Sequence, residues 1–547
     1  MDASRRPESP VDGRLRSWEK AGYLRRLWAK DPTLWTAGSA SGIRDRLGWL
    51  DLPERMAPRL AGIQAFAGEI AAEGFTHVVL LGMGGSSLAP ELFGRTFGQA
   101  AGCPELVVLD STHPDAVAAV EAKIDLARTL FLVSSKSGTT VEPLSFYRYF
   151  WRLAGGISRS PGRHFIAVTD PGTPLAALAR DRGFRRVFEA DPDVGGRFSA
   201  LTEFGLVPAA IIGLDVPRLL ASAAAEVRAN GPGVPEAEAP GLLLGAALGE
   251  AAGVRDKLTI LTSPALRSFP DWLEQLIAES TGKDGKGIVP VAGEPALPAA
   301  AYGEDRSFVS IALRDDPDRA ADDLTRSLEK AGRPVIRIRL ADLFSLGGEI
   351  FRWELAVAAA GSVMGIDPFD QPDVELAKEL ARKAMARDLV QTPKAQAADG
   401  AVVADRPAEL GNAFALWLAQ ARPGDFIAIQ AYLAPEGGTT RALQALRPAL
   451  SKKTGLATTL GYGPRFLHST GQLHKGGPNE ALVLQLVDEP ARDLAVPETD
   501  LTFGRLIRAQ ALGDYQALVQ RGRRVLRVDL KDDPSGSLGL IAALAAA

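Results

Sequence analysis

The chain has 547 residues, enough for two or three domains with sizeable hydrophobic cores. Its formal net charge of -4 is small for that length, so the composition carries no electrostatic signature of binding to nucleic acid or to an anionic membrane. A single cysteine, Cys103, excludes an internal disulfide and favours a reducing compartment, the cytoplasm. The polar N-terminus predicts no signal peptide, and no apolar run of about 18 residues predicts a membrane span.

Residues 1–72 carry Trp and Leu spaced along charged segments, which predicts an N-terminal helical segment. Short apolar runs then alternate with Gly/Ser/Thr turns and amphipathic stretches. This alternation is typical of βαβ units and predicts an α/β fold with parallel sheets. The runs of the first series are Thr76–Leu81, Glu105–Asp110, Thr129–Ser135, His164–Thr169 and Arg185–Glu189.

A Pro-, Gly- and Glu-rich stretch, Ala229–Pro240, is the predicted linker between this series and a second one. The predicted division is therefore a helical segment over 1–72, a first domain over 73–235 and a second domain over 236–547. Val390–Pro407 is predicted to be a loop or an internal linker. The apolar runs of the second series are Lys257–Thr262, Phe308–Leu313, Pro334–Leu340, Asp425–Tyr432, Gly455–Gly461 and Ala481–Val487.

Two loops of the first series have the composition of a phosphate cradle. The first runs from Leu81 to Ser87 (LGMGGSS), where glycines let backbone amides approach an anion closely. The second, Ser134–Thr140 (SSKSGTT), follows the next-but-one apolar run and adds hydroxyl groups in front of a predicted helix N-terminus. Such residues also serve simply as helix caps and turns. Two such loops favour a small phosphorylated ligand, and neither matches a Walker or dinucleotide fingerprint.

The second loop continues as SSKSGTTVE, and four further segments strengthen this interpretation. They are GGRFSALTEFGL, ESTGK, DPFDQPDVELAK and the histidine segment LHSTGQLHKGG. Together they resemble the glucose-6-phosphate isomerase family. The resemblance implies two sugar-isomerase (SIS) domains, each a doubly wound parallel sheet. It implies no cofactor and no metal, and a homodimer. It also implies that Ser135, Ser137 and Thr140 hold the sugar phosphate, with Gly85 and Ser86 lining the same pocket.

The resemblance further implies the catalytic groups. Glu279 in ESTGK matches the base, and Arg197 in GGRFS matches the arginine that faces the enediolate. Gln275 and Gln371 match site residues of the family, and Lys378 matches the lysine near the ring oxygen. The residues themselves predict a helix over Ser268–Ser280, on which Gln275 and Glu279 share a face at i,i+4 spacing.

The histidines depart from the usual family order, which is glutamate, histidine, lysine. The chain holds five histidines, and none lies between Glu279 and Lys378. His468 lies in the segment that resembles the family's histidine region, with His474 as the second candidate. The sequence is therefore most similar to the isomerase half of transaldolase–isomerase fusion proteins, with a rearranged second domain. Whether His468 serves its own subunit or a neighbour stays open.

The predicted activity is aldose–ketose isomerisation of glucose 6-phosphate and fructose 6-phosphate through a cis-enediol, a step of glycolysis and gluconeogenesis. One alternative is a phosphosugar-binding regulator built from the same domain, which needs the hydroxyl loop but not Glu279, Arg197 and Lys378 together. A second is an isomerase with a broader range, including mannose 6-phosphate. A third is a structural protein with a vestigial site. The predicted partners are a small phosphosugar and a second copy of the chain, with a possible functional link to a transaldolase and with no nucleic acid or membrane.

Overall fold

A computed structural model describes residues 9–35, 40–386, 401–404, 407–531 and 533–546. The described chain forms three parallel β-sheets with helices on their faces, preceded by a set of short helices. Central strands of the first and third sheets are buried on both faces, as parallel sheets covered by helices require. Within the described ranges, every helix is too short or too polar to cross a membrane.

The first N-terminal helix begins and ends at ordinary capping signals. Ser9 caps the first helix by accepting a hydrogen bond from the Asp12 amide, and Gly22, in the left-handed region at φ 62°, ends it. The apolar residues of the N-terminal helices belong to one large core that extends through the first two sheets. The helices are α1 (Pro10–Ala21), α2 (Tyr23–Trp28), α3 (Ala40–Arg44), α4 (Leu52–Met56) and α5 (Leu60–Ala72).

The first sheet has the strand order β2-β1-β3-β4-β5, all parallel. The chain leaves β1 in one direction and returns to build β3 on its other side. This reversal opens a crevice at the carboxyl ends of β1 and β3, which is where open α/β sheets bind ligands. The strands are β1 (His77–Leu81), β2 (Glu105–Leu109), β3 (Thr129–Ser134), β4 (Phe165–Thr169) and β5 (Arg186–Glu189). The helices are α6 (Leu88–Phe97), α7 (Pro114–Lys123), α8 (Val141–Ile157) and α9 (Pro174–Asp181).

Three helices lead from the first sheet to the second. They are α10 (Glu203–Ile211), α11 (Val216–Ala229) and α12 (Pro240–Ala251). The predicted linker separates α11 from α12, and it is held in place, since Asn230 is buried and accepts a hydrogen bond from the Gly241 amide at 2.8 Å.

The second sheet has the order β7-β6-β8-β9, again all parallel. The helix after β6 is α13. Its C-terminal half lies at the carboxyl edge of the first sheet, where Gln275 and Glu279 line the same cavity as the loops of that sheet. The strands are β6 (Lys257–Thr262), β7 (Val289–Val291), β8 (Arg306–Leu313) and β9 (Val335–Leu340). The helices are α13 (Phe269–Thr281), α14 (Arg319–Lys330), α15 (Leu346–Met364) and α16 (Val374–Ala386).

The third sheet has the order β10-β14-β13-β11-β12. Buried Arg447 of this layer joins it to the second sheet, because its guanidinium donates to the carbonyls of Ala292, Gly293 and Thr458 at 2.6–3.0 Å. The strands are β10 (Ala401–Ala404), β11 (Phe426–Tyr432), β12 (Ala457–Tyr462), β13 (Ala481–Val487) and β14 (Arg524–Asp529). The helices are α17 (Pro407–Leu418), α18 (Gly437–Thr454), α19 (Gly471–Gly476), α20 (Phe503–Gln520) and α21 (Pro534–Ala546).

The α/β class, the parallel sheets and the N-terminal helical segment are confirmed, and each predicted apolar run contains a strand. Three strands were not predicted: β7, β10 and β14. The chain after residue 236 builds two hydrogen-bonded sheets rather than one continuous sheet. The predicted loop at 390–407 is wrong for 401–404, which pair with β14 as an edge strand, and 387–400 lie outside the described residues. The three-part domain division stays a prediction.

Candidate active site

A cavity of about 370 Å³ lies at the carboxyl end of the first sheet, where that sheet meets α13 and the segment after β12. All eleven residues predicted for the site line it, although they come from six separate segments of the chain. They are Gly85, Ser86, Ser135, Ser137, Thr140, Arg197, Gln275, Glu279, Gln371, Lys378 and His468.

The glycines of the first loop are needed because three segments meet there. Gly84 has φ 54°, and a Cβ at this position would lie 2.9 Å from both the Cβ and the carbonyl oxygen of His468. A Cβ on Gly85 would lie 2.0 Å from the carbonyl oxygen of Gly196, beside Arg197. The loop therefore touches both the arginine turn and the histidine turn, and a side chain at either glycine would separate them.

The second loop carries its hydroxyl groups beside the N-terminus of α8. Ser135 Oγ donates to Thr140 Oγ1 at 3.0 Å and accepts from the Gly138 amide at 3.2 Å, which fixes the curvature of the loop. Thr140 is the residue before α8, yet its side chain caps none of the helix amides. Ser137, which is exposed, and Thr140 both line the cavity, so the N-terminus of α8 lies at its wall, where an anion would gain from the helix dipole.

Two basic residues of this region were missed by sequence reasoning. Lys136 and Arg46 both line the cavity, and Lys136 Nζ donates to Asp170 Oδ2 at 2.6 Å. Burial lowers the pKa of Lys136, while its bond to Asp170 opposes the shift. Lys136 lies within the SSKSGTT motif, so its position was visible, but a lysine in a loop is ordinarily a solvated surface residue.

Glu279 and Gln275 share one face of α13, as their spacing predicted. Gln275 Nε2 donates to Glu279 Oε2 at 3.1 Å and to the carbonyl oxygen of His468 at 2.7 Å. The other carboxylate oxygen of Glu279, Oε1, lies 3.3 Å from Nη1 of Arg197. One helix face thereby joins the carboxylate, the arginine and the histidine turn.

Arg197 is buried and organises the segment after α15. Its Nη2 donates to the carbonyls of Pro368 and Asp370 at 2.6 and 3.0 Å, and its Nη1 donates to Gln371 Oε1 at 3.2 Å. Burial lowers the pKa of Arg197, and the negative charge of Glu279 opposes the shift. The guanidinium stays a cation with one edge facing Glu279.

Lys283, the lysine of ESTGK, holds the same segment from the other side, and sequence reasoning gave it no role. Its Nζ donates to the carbonyl oxygen of Asp370 at 2.5 Å and to Asp370 Oδ1 at 2.8 Å. Burial lowers the pKa of Lys283 to about 8, nearby Arg197 acts in the same direction, and Asp370 opposes both.

His468 lies in a short 3-10 turn after β12, in the same chain as the loops and Glu279. Its Nε2 is 3.1 Å from Oε1 of buried Glu142, and Gln510 Nε2 donates to that same oxygen at 2.7 Å. Burial alone would raise the pKa of Glu142, but the charge of His468 and its hydrogen bond hold that pKa below its usual value. Sequence reasoning missed Glu142 as a partner, although it ends the SGTTVE segment, and Gln510 gave no signal at all.

Lys378 lines the cavity from α16, but its Nζ bonds to Glu375 on the same helix at 2.8 Å and its side chain is 45% exposed. His474 does not line the cavity. It is buried beside Gln430, whose Nε2 lies 3.1 Å from His474 Nδ1, and burial together with nearby Lys475 lowers its pKa to about 3. Of the two candidate histidines, His468 is therefore the one that faces the site.

The comparison with known families matches residues 63–290 to the phosphoglucose isomerase model. The glucose-6-phosphate isomerase of Citrifermentans bemidjiense is 32% identical in an alignment of 385 positions that covers 60% of this chain and 71% of that protein. This chain belongs to the phosphoglucose isomerase family. The matched range contains both loops, Arg197, Gln275 and Glu279, whereas Lys378 and His468 lie beyond it.

Other proteins similar to this chain include further glucose-6-phosphate isomerases and a hypothetical protein of solved structure. The glucose-6-phosphate isomerase of Rubrobacter xylanophilus is 29% identical over 400 residues, 63% of this chain and 90% of that protein. A hypothetical protein from Thermus thermophilus has a crystal structure that superposes with a TM-score of 0.60 at 26% identity, over 69% of this chain and 97% of that one. The structure of a glucose-6-phosphate isomerase from Chlamydia trachomatis shares the fold, with a TM-score of 0.56 at 22% identity over 69% and 87% of the two chains.

Proposed function

We propose that this chain interconverts glucose 6-phosphate and fructose 6-phosphate through a cis-enediol. One observation carries the proposal: a carboxylate, an arginine and a histidine converge on the cavity that the two hydroxyl loops enclose. Membership of the phosphoglucose isomerase family supports it, as do the glucose-6-phosphate isomerases among the relatives.

The first step is to anchor the phosphate. Ser135, Ser137 and Thr140 would bind its oxygens together with the open amides of the α8 N-terminus. Gly85 and Ser86 would contact it from the first loop. A dianion there gains from the helix dipole and from the positive charges of Lys136 and Arg46 at the same end of the cavity.

The second step is to open the sugar ring. His468 donates from Nε2 to Glu142 in this assignment, which leaves Nδ1 as the nitrogen that exchanges a proton with the sugar. The proton moves from the anomeric hydroxyl to the ring oxygen as the C1–O5 bond breaks, and the product is the open-chain aldehyde. Lys378 would assist at the ring oxygen after exchanging its bond to Glu375 for the substrate.

The third step moves a proton between two carbons. Glu279 would take the proton from C2, giving an enediolate whose negative charge on oxygen Arg197 stabilises. Glu279 then returns the proton to C1, while the proton of the C2 hydroxyl moves to the oxygen on C1, so that C2 becomes the ketone and C1 carries the primary alcohol. The contacts of Glu279 with Arg197 and Gln275 support this role because they hold the carboxylate at a fixed position.

An assay of glucose 6-phosphate isomerisation without added metal tests the proposal, with mannose 6-phosphate and non-phosphorylated glucose run in parallel. We expect turnover of glucose 6-phosphate by the wild type. Glu279→Gln should lower kcat by about 10²–10⁴-fold, since it removes the base but keeps the shape of the side chain. Its affinity for sorbitol 6-phosphate, which cannot isomerise, should stay within about tenfold. Glu329→Gln, an exposed carboxylate paired with Arg337, is the control.

The alternatives predict other results in the same assay. A phosphosugar-binding regulator would bind sorbitol 6-phosphate and turn over neither hexose phosphate. A broader isomerase would accept mannose 6-phosphate at a comparable kcat/KM. Turnover that survives in Glu279→Gln would contradict the assignment of the base.

Three further proposals accompany the activity. The chain is inferred to act as a homodimer. It is inferred to work in the cytoplasm, which its single cysteine supports. It is inferred to act without cofactor or metal. A functional link to a separate transaldolase follows from its resemblance to the fusion proteins, and co-purification from the native cell extract tests that link.

A further inference from the structure

Arg465 begins the 3-10 turn that ends at His468, and its side chain leaves this turn to reach the first sheet. Its Nη1 lies 2.9 Å from Asp110 Oδ2, in the segment after β2, and its Nη2 pairs with Glu91 on α6. Since a guanidinium presents its donors in a fixed fork, two carboxylates on different elements define its position well. The fork therefore joins the histidine turn to the first sheet.

The two residues that supply these carboxylates are hydrogen-bonded to the loop that lines the cavity. Asp110 Oδ2 accepts a hydrogen bond from Ser87 Oγ at 3.3 Å, and the Glu91 amide donates to the carbonyl oxygen of Ser87 at 3.0 Å. Ser87 directly follows Ser86 in the first loop. Through Asp110 and Glu91, Arg465 is thus linked to the first loop, whose Gly84 packs against His468.

The histidine turn has a second support at its other end, where Gln275 donates to the His468 carbonyl. Within the turn, the Leu467 amide donates to the Pro464 carbonyl at 2.9 Å. The imidazole must meet Glu142 on α8, which belongs to the first sheet, although its own backbone continues from the third sheet. A displacement of the turn relative to the first sheet would lengthen the contact between His468 and Glu142.

Several charges face the Arg465 fork from the elements around it. Glu91 and Arg95 lie on α6, Asp110 follows β2, and Asp271 and Glu274 lie on α13. Burial would lower the pKa of Arg465, but the charges of Asp110, Glu91 and Asp271 raise it, so the guanidinium stays charged. Loss of this cation would leave buried carboxylates without their main partner, an arrangement that favours movement of the turn.

We propose that Arg465 is a positioning residue, which docks the turn carrying His468 onto Glu91 and Asp110 of the first sheet and so sets the distance from His468 to the bound sugar. The role assigned to His468 rests on the proposed isomerase function. The docking itself rests on the contacts described above.

Kinetics of Arg465→Gln and Arg465→Lys test the proposal, with Arg95→Gln as the matched control. Arg95 pairs with the same Glu91 at 2.6 Å, but its side chain is 60% exposed, and among the described residues it has no hydrogen bond or ion pair with the turn. We expect Arg465→Gln to lower kcat about 10- to 100-fold, since small misplacements of a catalytic group are costly, with KM within about threefold. Arg465→Lys keeps the charge without the fork, so its kcat should lie between the values of Arg465→Gln and the wild type. Arg95→Gln should match the wild type.

A spectroscopic measurement decides the docking independently of turnover. The chain has five histidines, so histidine-selective ¹⁵N labelling gives a simple spectrum, in which His468→Gln identifies the His468 signals. We expect these signals to shift in both Arg465 variants and to stay in place in Arg95→Gln. If Arg465→Gln does not fold, the Arg465→Lys spectrum and kinetics carry the comparison.

The outcomes separate the two hypotheses. A wild type without turnover would overturn the proposed function, while the spectra would still decide the docking. Unchanged His468 signals and an unchanged kcat in Arg465→Lys would overturn the positioning role. Equal losses of kcat in Arg465→Gln and Arg95→Gln would also overturn it, because the effect would then reflect charge near Glu91 rather than the turn.

Discussion

At the scale of single residues, each oxygen of the Glu279 carboxylate has its own partner. Arg197 lies 3.3 Å from Oε1 and Gln275 lies 3.1 Å from Oε2. Charge-assisted hydrogen bonds are usually about 2.7–2.9 Å long, so both contacts are loose. A substrate hydroxyl can therefore replace either contact at little cost in free energy. The two contacts position Glu279 but leave its carboxylate able to bind the substrate.

His474 makes the folded protein sensitive to acid. Its pKa of about 3, lowered by burial, lies below the value of about 6.5 in an unfolded chain. Between these values the unfolded state binds a proton that the folded state does not, so stability falls as the pH decreases through this window. This histidine contributes at most about 1.4 kcal/mol per pH unit to that fall.

We accordingly expect His474→Gln to lose less unfolding free energy than the wild type between pH 7 and pH 4.5. Urea unfolding at both pH values measures the difference, and each protein at pH 8 provides its own reference. Parallel pH dependences for the two proteins would contradict the assignment of a neutral, buried His474.

Eleven residues of the cavity could be predicted because they lie in or beside short motifs that resemble those of the family. The motifs also contained Lys136, Glu142 and Lys283, whose places in the site depend on what each side chain meets after folding. Glu142 illustrates the reason, since its partners His468 and Gln510 are separated from it by 326 and 368 positions. Sequence spacing has no information about such distant contacts.

At the scale of elements, the strands that could be predicted are the continuous apolar runs. The three that escaped are short or carry charge. β7 has three residues and includes Pro290, and β10 has four. β14 contains arginines, which ordinarily lie at the surface, but Arg524 pairs with buried Asp425 at 2.8 Å, and Arg527 donates to Gln485 inside the sheet. Charge that is neutralised by a distant partner cannot be distinguished from solvated charge in a sequence.

The loop between β3 and α8 should control affinity rather than turnover. The variant Ser135→Ala/Thr140→Ala removes two hydroxyls that would bind the phosphate, and each hydrogen bond to a charged group contributes about 1.5–3 kcal/mol. We expect KM for glucose 6-phosphate to rise at least about tenfold, with a smaller change in kcat.

Steady-state kinetics measure both constants, and Ser145→Ala is the control. The Ser145 hydroxyl lies on the same helix, α8, and donates to the Val141 carbonyl at 2.8 Å, away from the cavity. A KM for the double variant equal to that of the control would argue against the phosphate cradle.

At the scale of the whole molecule, Arg447 connects the second and third sheets. It is 1% exposed, and its guanidinium donates to backbone carbonyls beside β7 and in β12. Removing it leaves several buried acceptors without a donor. We expect Arg447→Met to lower the unfolding free energy by about 3–5 kcal/mol, or to separate the unfolding of the two sheets into two transitions.

Denaturant unfolding followed by circular dichroism measures this effect. Arg441→Met, on the same helix α18 but exposed, is the control and should unfold like the wild type. Wild-type stability in Arg447→Met would show that the two sheets hold together without this side chain.

The cavity also bears on subunit cooperation, because Glu279 and His468 of one chain line it together. We expect Glu279→Gln and His468→Gln chains, unfolded together and refolded as an equal mixture, to regain no activity beyond that of the separate variants. If the histidine served a neighbouring subunit, hybrid dimers would restore about a quarter of the wild-type activity. Activity of the refolded mixture measures which arrangement holds.

The late position of His468 in the chain has a consequence for biosynthesis. The ribosome makes both loops and Glu279 first, and the histidine follows 189 codons after Glu279. At usual rates of translation this delay is about 10–40 s, and domains begin to fold as they emerge. During that interval we expect a nascent polypeptide to be able to bind a phosphosugar on its first sheet while it still lacks the histidine that we propose opens the ring.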